Sequence, residues 1–160
     1  MRRALAALAV GLALPALAAC GDADADTAGP PELSVVEAYA APSAAGSDTG
    51  AAYLEVADEG GGDALVGVRT DAAQRVELHR TRTRDGLAVM EEVDRLEVPG
   101  GGRLRLEPGG DHLMLVGLVA PLEPGDTVRL ELSFATSAPL SVEAPVLSYD
   151  AIDARLGGET

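Results

Sequence analysis

From residue 32 onward, apolar and polar positions alternate in short runs, and no window after the first twenty residues repeats at helical spacing. Strands are predicted at Leu33 to Ala40, Ala51 to Ala57, Ala64 to Val68, Arg75 to His79 and Leu87 to Val93. Further strands are predicted at Leu96 to Val98, Arg103 to Leu106, His112 to Leu118, Thr127 to Phe134 and Leu140 to Val146. The alternation is clearest over Thr127 to Phe134. Val128, Leu130, Leu132 and Phe134 share one face, and Arg129, Glu131 and Ser133 share the other. Pro99-Gly100-Gly101-Gly102, Pro108-Gly109-Gly110 and Pro124-Gly125-Asp126 punctuate the runs as turns. Many short strands separated by Gly/Pro turns predict an all-β single domain, a sandwich or barrel, over residues 32–147. The stretch 148–160 is expected to be a frayed tail.

The N-terminus has a different grammar. Met1-Arg2-Arg3 is followed by an Ala/Leu/Val run to Ala19, broken by Gly11 and Pro15. That run is short for a membrane span and reads as a secretory signal over residues 1–19. It ends Leu17-Ala18-Ala19-Cys20-Gly21, which resembles the bacterial lipobox. The resemblance implies diacylglyceryl transfer to Cys20, cleavage before it, and lipid anchorage outside the cytoplasm. The expected location is the outer face of the cytoplasmic membrane or the periplasmic side of the envelope. Residues 20–31, with Asp22, Asp24 and Asp26 among small residues, read as a flexible acidic tether.

The chain has 160 residues and a formal charge of −14. All of its basic residues are Arg. Without the leader, ten Arg face 26 acidic residues, a balance of −16. Such a surface disfavours nucleic acid as a partner, because phosphate binding needs concentrated cationic charge. One Cys leaves neither an internal disulfide framework nor a Cys-based zinc site.

Scarcity then singles out four side chains. After the leader, the only His and Met residues are His79, Met90, His112 and Met114. His112-Leu113-Met114 lies in a strand, so the imidazole and thioether leave one face about 6.6 Å apart. Leu113 and Leu115 face the core. A lone Met or His is ordinarily a packing residue, but a chain this rich in Leu, Val and Ala has no need of Met as filler.

The order His79, ten residues, Met90, twenty-one residues, His112, one residue, Met114 resembles the H-x10-M-x21-H-x-M signature of the extracytoplasmic copper chaperones called PCuAC. Flanking segments match as well: Val76-Glu77-Leu78-His79, Val98-Pro99-Gly100-Gly101, Pro108 to Leu115, Gly117-Leu118, and Pro121-Leu122 before Gly125-Asp126. Thr49 to Leu54 is similar to the family's strand near the N-terminus. The resemblance implies a cupredoxin-like barrel that binds Cu(I) through His79, Met90, His112 and Met114. It also implies delivery toward the binuclear copper centre of cytochrome c oxidase. The implied partner is a copper-accepting protein, either the oxidase copper subunit or a Sco-type thiol protein. One departure is visible, since Arg80 follows His79 where many relatives have Met. Nor does this chain carry the His/Met-rich tail of some members.

Elementary coordination chemistry agrees with the resemblance. Two soft, neutral thioethers with two imidazoles favour Cu(I) over Mg²⁺, Ca²⁺ or Mn²⁺. Thioethers form no disulfides and suit a carrier that must release its ion; their liability is sulfoxide formation. A blue-copper electron carrier needs a thiolate, and the single Cys is Cys20. No nucleophile motif is present, so a monomeric non-enzyme is expected. Glu77 shares a strand face with His79 and could orient its imidazole or stand solvated. Arg80, Arg82 and Arg84 form a cationic cluster, either a solvated loop or a docking patch for an acidic acceptor. A copper buffer with the same site, or a metal-free Ig-like envelope module, are the competing functions.

Overall fold

The structure, a computed structural model, describes residues 29–157. Cys20, the leader and most of the predicted tether lie outside these residues. Ten strands and one helix follow in order: β1 (Leu33–Ala40), β2 (Thr49–Asp58), β3 (Asp63–Arg69), β4 (Ala73–Arg84), β5 (Leu87–Glu92), β6 (Leu96–Val98), β7 (Arg103–Arg105), β8 (His112–Leu118), β9 (Thr127–Phe134), β10 (Leu140–Pro145) and α1 (Tyr149–Gly157).

The strands form two packed sheets. The larger runs β1-β2-β8-β4-β5, with β7 also pairing with β2, and the smaller runs β10-β9-β3-β6. The sheets bury the alternate side chains that face each other. Leu54, Val56, Leu113 and Leu115 come from the larger sheet, and Leu65, Leu96, Leu130 and Leu132 from the smaller. Each such side chain contributes about 1.5–3 kcal/mol by leaving water. Ala40 and Val146 join in a parallel bridge, so the first and last strands close the seam between the sheets.

Two buried carboxylates fasten the loops. Asp58 accepts hydrogen bonds from the backbone N–H groups of Glu32, Gly60 and Gly62. Gly62 has φ +88° and abuts Gly100, a conformation and clearance that only glycine meets without strain. Asp63 accepts from Ala64, Thr136 and Ser137.

The structure departs from the sequence reading in three places. Residues 148–160 are not a frayed tail throughout, because Tyr149–Gly157 is a helix. Its amphipathic signal is faint, yet tertiary contacts hold it. Ile152 buries against Tyr39 and Ala41, Arg155 pairs with Glu37 and lies over the Tyr39 ring, and the Tyr149 hydroxyl donates to the Pro42 carbonyl. Second, β4 runs on past His79 to Arg84, so the Arg-Thr-Arg-Thr-Arg segment is a strand rather than a loop. Third, bulges in β1 and β3 turn Val36 and Val66 out to solvent, which breaks the alternation there.

Candidate metal centre

The site is built by the alternation that builds the core. Leu78 in β4 and Leu113 and Leu115 in β8 point inward and are buried. Their neighbours must therefore point to the outer face of the larger sheet. His79 stands opposite His112, and Glu77 opposite Met114, across the β4–β8 pair. On the other flank of β4, Met90 of β5 stands opposite Thr81. Cross-strand partners share a face, so His79, Met90, His112 and Met114 all rise from one surface.

They are not equally close. Strand spacing of about 4.8 Å and a rise of about 3.3 Å per residue put Met90 and Met114 each roughly 8 Å from His79, backbone to backbone, on opposite diagonals. By the same measure the two Met backbones are about 16 Å apart. His79 thus has the other three as neighbours, with Met90 outermost. Met90 is 60% exposed, whereas His112 is 8% exposed. A cleft of about 260 Å³ opens on this face, walled by His112, Met90, Tyr53 and Thr81 among others. Burial, and secondarily Tyr149, pushes the Tyr53 phenol above its ordinary pKa.

Hydrogen bonds fix both imidazoles. His79 Nε2 lies 3.0 Å from Glu77 Oε2. His112 Nδ1 lies 3.0 Å from the Gly110 carbonyl oxygen. An ionised carboxylate and a carbonyl can only accept, so each of these ring nitrogens carries the proton. In the neutral rings the lone pairs then sit on His79 Nδ1 and His112 Nε2. His79 Nδ1 is buried and has no hydrogen-bond partner, a condition met by no other side-chain nitrogen or oxygen among the described residues. An orphaned buried lone pair is costly unless a ligand completes it. The rings meet edge to face with centroids 5.3 Å apart.

The surroundings hold this arrangement. Arg75 donates from Nε to Glu77 Oε1 at 2.8 Å. That contact, and next the hydrogen bond from His79, keeps the Glu77 carboxyl below the usual range, hence ionised and accepting. The Pro108–Asp111 turn is pinned to β4, because Thr81 donates through Oγ1 to the Gly110 carbonyl and through its N–H to Asp111. The carbonyl that orients His112 is itself fixed by the strand that carries His79. Sequence reasoning did not single out Thr81, Tyr53 or Gly110. Thr81 was accessible from its two-residue offset to His79, and the β4–β5 hairpin from Asp85-Gly86. Those residues have φ 52° and 80°, as a type I′ turn requires.

The arginine cluster lies elsewhere than beside the imidazole. Alternation puts Arg80, Arg82 and Arg84 on the opposite face of the β4–β5 ribbon from His79 and Thr81. Each is charge-paired, Arg80 with Asp111, and Arg82 and Arg84 with Glu91. Those five side chains sum to +1.

No group of three or more His, Cys, Asp or Glu with metal-holding geometry exists among the described residues. The imidazole pair with adjacent thioethers is a soft donor set, which suits a soft monovalent ion. The LpqE-like family, described as a lipoprotein family, matches residues 33–146. The chain belongs to that family. Lxx21020 of Leifsonia xyli subsp. xyli (strain CTCB07), whose name classes it among lipoproteins, is 37% identical over 149 residues, covering 92% of this chain and 90% of that protein. The solution structure of CuI-DR1885 from Deinococcus radiodurans is 34% identical with a TM-score of 0.58, covering 69% of this chain and 74% of that one. The copper-bound PCuAC domain from PmoF2 has a TM-score of 0.62 at 18% identity, covering 76% of this chain and 97% of that one, and shares the fold. The PCuAC resemblance and the single-domain cupredoxin- or Ig-like β-sandwich are thereby shown. Among the described residues, no helix is long and apolar enough to cross a membrane.

Proposed function

We propose that this protein is an extracytoplasmic, lipid-anchored Cu(I) metallochaperone whose cargo sits between His79 Nδ1 and His112 Nε2, with Met114 and Met90 as thioether ligands. The observation that carries the reading is the unpartnered buried Nδ1 of His79, directly across from an imidazole whose own free nitrogen is set by the Gly110 carbonyl. Copper in the solved relatives CuI-DR1885 and the PmoF2 domain supports it. Met114 is half-buried on β8 beside His112. Met90 stands apart, so capture includes an inward closure of the β4–β5 hairpin. Met has three rotatable side-chain bonds to assist that closure. In this reading the protein acts as a carrier rather than an enzyme, in keeping with the copper held by the solved relatives.

Cys20 is the proposed anchor, in keeping with the lipoprotein relatives. The proposed client is a copper-accepting protein on the pathway to the binuclear copper centre of cytochrome c oxidase. Titration against a chromogenic Cu(I) chelator tests the reading. One equivalent is captured by the parent and lost in His79→Ala or His112→Ala. No capture by a folded parent protein overturns it. Loss of oxidase activity in a deletion strain under copper limitation separates delivery from buffering.

A further inference from the structure

The two candidate thioethers differ sharply in their access to solvent. Met114 is half-buried in a central strand, between Ala51 of β2 and Glu77 of β4. Met90 is on the edge strand β5, is 60% exposed, and lies in the wall of the open cleft. Its strand neighbours Leu87, Ala88 and Val89 are exposed as well, so nothing on β5 shields the sulfur. Thioether oxidation follows exposure.

We infer that Met90 is a peroxide-reactive modification site whose oxidation loosens the hold on the cargo while the rest of the site stays intact. The second half of this statement rests on the proposed copper function. In the reaction, the Met90 sulfur attacks one peroxide oxygen. The O–O bond breaks, an S–O bond forms, and the sulfur loses two electrons. The peroxide is reduced: its other oxygen leaves as hydroxide and takes the proton of the sulfur-bound hydroxyl, which gives water and the neutral sulfoxide. The sulfoxide is a polar group with an oxygen acceptor and a spent sulfur lone pair. It favours the solvent-facing hairpin over the closed one, so copper keeps His79, His112 and Met114 but loses its outermost ligand. A methionine sulfoxide reductase would restore the thioether.

Dilute hydrogen peroxide added to the purified metal-free protein, followed by peptide mass spectrometry over time, tests the first half. Met90 is expected to gain one oxygen on the order of fivefold faster than Met114. Equal rates, or faster oxidation at Met114, overturn the assignment. Met90→Leu removes the fast phase and leaves the slow one, a readout independent of copper. Chelator competition on protein oxidised at Met90 alone tests the second half. Capture weakens roughly tenfold, as for removal of one supporting interaction at a metal site, and recovers after reductase treatment. Unchanged capture after selective oxidation overturns the release role. An untreated protein that captures no copper instead overturns the copper function and leaves the oxidation ratio to be judged by itself.

Discussion

Across the β4–β8 pair, His79 stands directly opposite His112, and the two rings are held by different atoms: Nε2 of the first by Glu77, Nδ1 of the second by Gly110. The free nitrogens are therefore of opposite kinds. Both ring orientations are set before any ion arrives, so binding need not order the imidazoles.

Glu77→Gln tests that orientation. The amide can turn its NH₂ toward His79, which makes it a poorer acceptor and weakens the tautomer preference. Cu(I) affinity should fall on the order of tenfold, with the melting temperature nearly unchanged. Nitrogen-15 NMR of the imidazoles should show the His79 tautomers mixing. An unaltered tautomer and affinity would remove Glu77 from the site.

Leu113 links core to site, because it is fully buried between His112 and Met114, the two proposed ligands on the outward face. Leu113→Ala should cost about 3 kcal/mol in chemical denaturation, through lost burial and a residual cavity. A cost under about 1 kcal/mol would mean that the strand is not anchored as described.

Acid should unfold the protein through Asp63 and Asp58. Burial pushes the Asp63 carboxyl up, but hydrogen bonds from Ser137, Ala64 and Thr136 outweigh it and hold the pKa well below the ordinary range. Asp58 behaves likewise through Gly60, Glu32 and Gly62. A carboxyl depressed in the folded state stabilises the fold above its unfolded pKa of about 3.9 and loses that contribution as pH falls toward the folded value. The melting temperature should therefore be flat near neutrality and drop from roughly pH 4 downward. Asp63→Asn puts an NH₂ where Ser137 donates, which should cost about 2 kcal/mol at neutral pH and shallow the acid slope. An unchanged acid slope in that variant would clear Asp63 of the role.

Arg80, Arg82 and Arg84 should matter little to stability, since exposed ion pairs contribute about 0–1 kcal/mol each. If they steer an acidic acceptor, their replacement by Gln slows copper handover most at low salt. Stopped-flow transfer that is insensitive to the triple replacement leaves them as ribbon pairs alone.

Much of this was legible in the chain because it rests on a two-residue period. Val128 to Phe134 and Leu113/Leu115 face the core for the same reason that His112 and Met114 face outward. What was illegible depends on contacts between distant segments. The helix at Tyr149–Gly157 has almost no amphipathic signal of its own and exists through Ile152 and Arg155 docking on Tyr39. Residues 80–84 look like a solvated loop by composition, yet pairing with β5 makes them strand. Their charges are answered by Asp111 and Glu91, and the Asp111 pairing spans thirty-one positions from Arg80. The Glu77 contact on His79 was legible, because the two lie two residues apart on one strand face; the Gly110 carbonyl is equally near His112 in sequence, but the turn that Thr81 pins sets its direction.

The strand order of the larger sheet has a geometric consequence for a molecule held by its leading end. The described chain enters at β1, one border of that sheet, while His79 and Met90 occupy β4 and β5 at the far border. Three strand spacings, about 15 Å, separate β1 from His79 on β4, and two, about 10 Å, separate it from His112 on β8. With the proposed anchor ahead of β1, the proposed copper-binding side chains of β4 and β5 would stand toward the border of the sheet opposite the strand by which the described chain enters.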